Sequence, residues 1–252
     1  MRFGVSRAHG GANLIAGVHR FAAALAELTQ TATKVSMHGD YQSLVDAVVA
    51  GTVDLAWVPP LTVTRALAAG AHLLVVSERG GALSYRSALV CARDRIGDGL
   101  DARRVAWTSV SSAAGYVFPR RHLERLGVDL SRLQEKFVGS PPAACAAVAD
   151  GDVDLCACFV TEAAGTSPAQ ALEDVAKVYP PAAWRLRVVS VTDSIPPDGI
   201  VAGKHIANHG QLAHLLSKLH ESPRGREALT LLMNADRLVV PGLSLVNILE
   251  RL

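Results

Sequence analysis

Hydroxyl-bearing residues cluster where a predicted strand meets a predicted helix. The segment 108–115, TSVSSAAG, follows a strand-like run over 104–108 and begins a helical stretch that ends at Leu126. The first N–H groups of a helix lack intrahelical partners, and together with the helix dipole they favour a bound anion. The pattern therefore predicts an anion site formed by Ser109, Ser111, Ser112 and Ala113. The alternative is that Ser111 or Ser112 only caps the helix.

Three further side chains follow predicted strands, where open α/β sheets bind their ligands. Arg7 and His9 come just after the strand over 3–6, and Glu162 follows the apolar run VDLCACF over 153–159. Each is either a ligand contact or a solvated loop residue. His9 with Glu162 is the best acid–base pair, but the sequence contains no GxSxG, HExxH or glycine-rich phosphate loop. We therefore expect no enzymatic activity, no cofactor and no metal.

The composition argues against nucleic-acid and membrane partners. Lys and Arg total 25 against 23 Asp and Glu, and no run of basic residues forms a stripe. No segment reaches roughly 18 uninterrupted apolar residues, so no membrane span is expected. Half of the 252 residues are hydrophobic, which is enough for a substantial core. The four cysteines have a spacing that favours neither a zinc site nor a disulfide framework.

Short β-rich runs alternate with helical stretches along the first third of the chain. The pattern predicts strands over 3–6, 34–38, 53–58 and 72–77 and helices over 10–29, 40–49 and 61–69. This β-α-β order predicts an α/β fold with a mostly parallel sheet covered by helices on both faces. The nearly continuous apolar run at 53–58 is typical of such a buried strand.

The same order restarts after 85–92, a run long enough to cross between two lobes. Further strands are predicted over 104–108, 136–139 and 153–159, with helices over 109–126, 141–149 and 168–176. AVVAGTVDLAWV at 47–58 and AVADGDVDLCACF at 147–159 repeat one helix–Gly–x–Val–Asp–Leu–strand layout. The run 185–191 is the predicted return crossover, followed by a strand over 200–202 and helices over 208–221, 223–234 and 244–251.

This organisation predicts two lobes and a hinge of two crossing strands. Lobe 1 is discontinuous, with residues 1–84 plus 193–252, and lobe 2 is inserted between its parts, with residues 85–192. Because ligands of open α/β sheets bind at the carboxyl ends of the strands, we expect a cleft between the lobes.

Several segments resemble the phosphate/phosphite/phosphonate-binding family of ABC-transporter substrate-binding proteins, which have a type II periplasmic-binding fold. They occur in the family's order between residues 39 and 203, as YQSL, GTVDLAWVPPL, YRSALV, SVSSAAGYVFPRRHLERLGVD, FVGSPPAACAAVADGDVDLCACF and SIPPDGIVAG. The resemblance implies a solute-binding protein whose two lobes close by hinge motion on a small polar or anionic ligand.

The resemblance also implies particular ligand contacts. Tyr41 and Tyr85 would line the cleft. Ser112 matches the first hydroxyl of the family's Ser-Thr-Ser-Gly phosphonate clamp. Asp198, in a Pro-Pro-Asp turn, matches an acidic residue that meets the ligand's amino group.

Three positions depart from the family's pattern. Ala113 and Ala114 stand at the next two clamp positions, and Pro141 or Pro142 replaces an expected histidine. A dianionic phosphonate needs several charge-assisted hydrogen bonds to offset its desolvation. The phosphonate clamp is therefore eroded, and the ligand is free to differ from a phosphonate.

Two other functions stay open beside the solute-binding protein: a cytoplasmic biosynthetic enzyme on the same fold, and a stand-alone ligand-sensing module. The expected partners are a small polar or anionic ligand and either an ABC-transporter permease or a signalling protein. The chain opens as a strand, without the basic segment, apolar stretch and cleavage site of a signal peptide. We expect a cytoplasmic location for this sequence, or a periplasmic one if an export signal has been removed.

Overall fold

The computed structural model describes residues 1–9, 14–97, 99–163 and 167–252. The chain divides into two compact units. The first is formed by Met1–Leu83 and Pro196–Leu252, and the second by Ser84–Ile195. Each unit contains one β-sheet with helices packed on it. Residues 10–13, at the start of the helix predicted over 10–29, lie outside the described residues.

The first unit contains a six-stranded sheet. Its strands are β1 (Arg2–Ser6), β2 (Lys34–His38), β3 (Leu55–Val58), β4 (His72–Glu78), β10 (Gly199–Ala202) and β11 (Arg237–Val239). Its helices are α1 (Leu14–Thr29), α2 (Tyr41–Val49), α3 (Pro60–Ala68), α7 (His209–Ser217), α8 (Pro223–Met233) and α9 (Leu243–Glu250). A hydrophobic cluster that includes Phe3, Phe21 and Leu229 is separate from one that includes Leu44, Val63 and Leu249.

The second unit contains a five-stranded sheet. Its strands are β5 (Tyr85–Ala92), β6 (Arg104–Trp107), β7 (Gln134–Phe137), β8 (Leu155–Thr161) and β9 (Leu186–Val191). Its helices are α4 (Phe118–Arg125), α5 (Pro141–Ala149) and α6 (Pro168–Val178).

Both sheets are mixed. The strand orders are β11-β4-β10-β3-β1-β2 and β7-β6-β8-β5-β9. In each sheet four strands run in one direction, as predicted, whereas β10 and β11 of the first sheet and β5 of the second run in the opposite direction. Strands β5 and β10 are the first that the chain forms after passing from one unit to the other.

The two runs predicted as crossing strands are neighbours in the second sheet. Residues 85–92 form the strand β5 inside the second sheet, and the run 185–191 largely forms its neighbour β9, with Val90 in register with Val188. The chain instead passes between the units at Leu83–Ser84 and Ile195–Pro196. Strand β11 was not predicted, and the helix predicted over 208–221 ends at Ser217.

The helix predicted over 109–126 begins later and with a different geometry. Residues Ala113–Val117 form a π-helical turn, which continues into α4. Pro119, the second residue of α4, has no N–H to donate to the carbonyl of Gly115. This carbonyl therefore accepts a hydrogen bond from the N–H of Thr108 at 3.1 Å, which holds the preceding loop against the turn.

Candidate functional site

Asp198 is positioned by the insertion of β10 between β3 and β4. Gly199, the residue after it, is in register with both neighbouring strands, which sets Asp198 beside Ser77. The N–H of Ser77 donates to the carbonyl of Asp198 at 3.0 Å, and its hydroxyl donates to Oδ1 at 2.7 Å. Trp57 Nε1 donates to Oδ2. Both carboxylate oxygens of Asp198 therefore have donors within the first unit.

Arg79 forms an ion pair with this buried carboxylate. Its Nη2 donates to Asp198 Oδ1 at 2.7 Å, and its Nη1 donates to Ser77 Oγ at 2.8 Å. The guanidinium also donates to the carbonyls of Met233 and Asn234. Burial raises the pKa of Asp198, but the Arg79 charge and the surrounding donors outweigh burial and lower the pKa overall. Asp198 is therefore ionised, and its negative charge is balanced by Arg79.

His9, Trp57 and Tyr41 form an aromatic cluster in the same unit. The His9 ring stacks on Trp57 with centroids 3.6 Å apart, and it meets Tyr41 edge-on at 5.1 Å. Burial lowers the pKa of His9 to about 4, so this ring is neutral at pH 7, and burial raises the pKa of the Tyr41 phenol. Trp57 connects the cluster to Asp198 through its indole N–H.

Arg7 follows β1 and is exposed. It forms no hydrogen bond and no ion pair with any residue that the structure describes. It is therefore a cation whose charge is not balanced by a described neighbour.

The serine-rich loop of the second unit lies between β6 and the π-helical turn. Ser112 caps the turn, because its Oγ accepts a hydrogen bond from the N–H of Gly115 at 3.0 Å. Ser109 and Ser111 are partly exposed, with their hydroxyl oxygens 3.5 Å apart. Within the described residues, no group accepts a hydrogen bond from the N–H of Ala113 or Ala114. The loop therefore presents hydroxyl groups together with N–H donors that lack a partner, and both interpretations of the segment, cap and anion site, fit this geometry.

Close packing behind the loop holds it in place. A Cβ atom on Gly115 would lie 1.9 Å from Thr108 Oγ1, so a larger residue does not fit there. Ser87 in β5 donates from its hydroxyl to the carbonyl of Ala114 at 2.6 Å. Tyr85 belongs to one apolar cluster with Ala113 and lies near Phe159, with ring centroids 5.2 Å apart.

Glu162 is paired with Arg86. Glu162 Oε1 accepts hydrogen bonds from Arg86 Nε at 2.9 Å, from Arg86 Nη2 at 2.7 Å and from Ser194 Oγ at 2.7 Å. Burial raises the pKa of Glu162, but these donors, Ser84 and the Arg86 charge lower it overall. In the antiparallel register Arg86 faces Val160, which makes Glu162 its diagonal neighbour.

The predicted residues thus fall into groups within each unit. In the first unit His9, Tyr41 and Asp198 are linked through Trp57, and Arg7 stands apart from them. In the second unit Tyr85 packs with the serine-rich loop, whereas Glu162 forms an ion pair with Arg86. His9 and Glu162, the candidate acid–base pair, lie in different units.

Sequence reasoning missed the two arginines that neutralise the acidic residues. Arg86 is the only charged residue in the otherwise buried strand YRSALVCA, and a charge in such a strand signals a partner. Arg79 follows a strand directly, but no sequence signal pairs it with Asp198, 119 residues further along the chain.

Two of the histidines near the carboxyl terminus have structural partners. His205 lies 3.0 Å from Asp54, and His209 stacks on His72 with ring centroids 4.3 Å apart. No group of three or more His, Cys, Asp or Glu among the described residues is arranged to hold a metal ion. Across residues 1–9, 14–97, 99–163 and 167–252, no helix is long and apolar enough to cross a membrane.

A family model for the periplasmic substrate-binding protein of phosphonate ABC transporters matches residues 3–241. The phosphate-import protein PhnD of Mycolicibacterium smegmatis is 29% identical over 150 residues. This match covers 52% of the present chain and 47% of the relative, so the chain spans about half the length of the curated relative it matches.

Two solved structures show the same fold along the whole chain. XAC2383 from Xanthomonas citri, bound to ATP, has a TM-score of 0.78 at 18% identity and is covered over 94% of its length. PhnD1 from Prochlorococcus marinus, in complex with methylphosphonate, has a TM-score of 0.73 at 18% identity and is covered over 97%. Both comparisons cover 100% of the present chain. They confirm the predicted fold class, the type II periplasmic-binding-protein fold.

Proposed function

The chain belongs to the family of periplasmic substrate-binding proteins of phosphonate ABC transporters, and from this membership we propose that it binds a small phosphate-like or phosphonate-like oxyanion. Proteins of this family bind small ligands for transport and are in general not enzymes. Membership in this family supports the sequence-based expectation of a solute-binding protein of the phosphonate-transporter type.

The serine-rich loop is the observation that supports an oxyanion ligand. Ser109 and Ser111 offer partly exposed hydroxyls, and the N–H groups of Ala113 and Ala114 have no acceptor among the described residues. An anion at a helix start satisfies such N–H groups and interacts favourably with the helix dipole. Gly115 and Ser87 hold the backbone of this loop in place, so its donors are preorganised.

The departures from the family's clamp affect how tightly the ligand is held. Alanine at positions 113 and 114 leaves backbone N–H groups but no hydroxyls there. Pro141 and Pro142 form the first turn of α5, where Ser140 is the cap, and a proline side chain cannot donate a hydrogen bond. We therefore propose that backbone groups carry more of the recognition than in a clamp with three hydroxyls.

We also propose a partner and a location. The family's description places its members in the periplasm and in ABC transporters. A permease of that transporter class is then the protein partner, and the periplasm is the place where the ligand is bound.

Isothermal titration calorimetry with methylphosphonate, phosphite and inorganic phosphate tests the proposal. At least one of them should bind, and Ser111→Ala should weaken the binding about 10- to 100-fold, as expected for the loss of one hydrogen bond to a charged group. Ser217→Ala is the matched control, because that hydroxyl donates to the carbonyl of His214 in α7 and bonds no other described residue. The absence of binding for all three anions would overturn the proposed function.

A further inference from the structure

Three cysteines meet in the interior of the second unit. Cys145 belongs to α5, and Cys156 and Cys158 belong to β8. All three are free thiols, fully buried, in one hydrophobic cluster. We propose that Cys145 forms a disulfide bond with Cys156 or Cys158, which cross-links α5 to β8. This modification site goes beyond the proposed function and does not depend on it.

The geometry of β8 directs two thiols toward the third. Side chains two positions apart in a strand point to the same face, so Cys156 and Cys158 share a face of the sheet. Helix α5 packs against β8, and its Cys145 lies in the cluster on that face. The thiols of Cys156 and Cys158 both donate hydrogen bonds to the sulfur of Cys145. Either of them is therefore within reach of Cys145.

The same strand geometry rules out a bond between Cys156 and Cys158. Residues two positions apart in a strand are separated by about 6.6 Å. The Cβ atoms of a disulfide lie about 3.5–4.5 Å apart. Cys145 is therefore the shared partner of the two strand cysteines.

Cys91, the fourth cysteine, points to the other face of the sheet. In the antiparallel register of β5 with β8, Cys91 lies opposite Leu155, whereas Val90 lies opposite Cys156. Directly opposite residues share a face, so Cys91 is on the face of Leu155. These two residues accordingly belong to a separate hydrophobic cluster. Cys91 therefore takes no part in the proposed disulfide.

Formation of the bond needs an oxidant, and a small-molecule disulfide supplies it. The Cys145 thiolate attacks one sulfur of the oxidant and expels half of it as a thiol. Cys156 or Cys158 then attacks the Cys145 sulfur of this mixed disulfide and expels the other half. The two cysteines lose two electrons and two protons, and the oxidant becomes two thiols. Because the cysteines are buried, the exchange takes place while the chain folds or opens locally.

The cross-link lies next to the serine-rich loop. Gly139, which precedes the cap of α5, donates its N–H to the carbonyl of Thr108 at 2.8 Å. Thr108 is the residue that leads from β6 into the loop. A disulfide between α5 and β8 would therefore fix the helix that begins beside the loop.

Refolding of the reduced protein with oxidised glutathione tests the proposal. We expect a monomer with one intrachain disulfide, which dithiothreitol removes. An aspartate-specific protease cuts before Asp150, Asp152 and Asp154 and so separates Cys145 from the two strand cysteines. Mass spectrometry of the alkylated, non-reduced digest should then show the Cys145 peptide joined to the peptide of Cys156 and Cys158. The absence of an intrachain disulfide, or one without Cys145, would overturn the proposal.

Two variants with three cysteines each provide the matched comparison. Cys145→Ala should form no intrachain disulfide under the same conditions. Cys91→Ala should form it as the unmodified protein does. A disulfide in folded Cys145→Ala, or its loss in folded Cys91→Ala, would contradict the role of Cys145, with folding checked by circular dichroism. Should either variant not fold, the peptide linkage in the unmodified protein decides.

Discussion

At the scale of single residues, the pair of Arg79 and Asp198 shows how a charge is kept in a buried position. The carboxylate has three side-chain donors, and the guanidinium is held by the carbonyls of Met233 and Asn234 at the end of α8 as well as by the carboxylate. Such a network is costly to break from one side, because the remaining charge stays buried without a partner. Asp198 then serves to position Trp57, which carries the stacked ring of His9.

We expect Arg79→Met to lower the free energy of unfolding by about 3 kcal/mol, since it leaves Asp198 buried and unpaired. Urea denaturation measures this loss. Arg224→Met is the control, because Arg224 and Glu27 form an exposed pair, and it should cost less than about 0.5 kcal/mol. Equal losses for the two variants would contradict the role of Asp198 as a buried charge.

At the scale of elements, the repeated helix–Gly–x–Val–Asp–Leu–strand layout has the same structural role in both units. Asp54 accepts a hydrogen bond from the N–H of Arg2 at 2.6 Å and pairs with its guanidinium at 2.7 Å. Asp154 likewise accepts from the N–H of Arg104 at 2.9 Å and pairs with its guanidinium at 2.8 Å. Each aspartate therefore fixes the start of a parallel neighbouring strand, β1 or β6.

This role predicts a pH dependence of stability. Burial raises the pKa of Asp54, but Arg2 and His205 outweigh burial and lower the pKa from 3.8 to about 2. A depressed pKa in the folded state stabilises the protein above pH 3.8, and this contribution is lost as the pH falls toward 2. We expect Asp54→Asn to cost about 2 kcal/mol at pH 7 and much less near pH 2.5.

Urea denaturation of the unmodified protein and of Asp54→Asn across this pH range measures the difference in their free energies of unfolding. Asp150→Asn is the control, because the Asp150 side chain is 63% exposed and lies 3.7 Å from its partner Arg185. It should change stability little at any pH. A cost of Asp54→Asn that stays constant from pH 7 to pH 2.5 would show that the charge of Asp54 is not the cause.

At the scale of the whole molecule, the two ends of the second unit are hydrogen-bonded to each other. The N–H of Tyr85 donates to the carbonyl of Ile195 at 3.0 Å, and the N–H of Ile195 donates back at 2.6 Å. Strand β5 begins at Tyr85, strand β9 ends shortly before Ile195, and the two strands pair side by side in one sheet. That the two units are the ligand-binding lobes stays a prediction.

We expect a fragment of residues 84–195 to fold by itself, since its sheet and hydrophobic core are internal to it. Far-ultraviolet circular dichroism and cooperative urea unfolding check this expectation. A matched fragment of residues 84–178 lacks β9, which pairs with β5 and packs against α6, and should not unfold cooperatively. A disordered 84–195 fragment would contradict the assignment of this unit as a domain.

The sequence by itself determined most elements of this protein and one part of its site. Alternating apolar runs, glycines after helices and serine or aspartate caps are local signals, and they located nearly every strand and helix. The serine-rich loop was also a local signal, since its serines directly join a strand to a helix in the sequence. Its role in anion binding stays a proposal.

Only the tertiary structure decided the strand order and the charge state of the acidic residues. Periodicity indicates which residues are buried but not which strands pair, so neither the insertion of β10 between β3 and β4 nor the position of β5 between β8 and β9 could be predicted from it. The insertion of β10 brings Asp198 to Ser77 and Arg79, and the register of β5 with β8 brings Arg86 to Glu162. These pairs join residues 76 to 121 positions apart, and spatial contacts of this kind leave no local pattern in the chain.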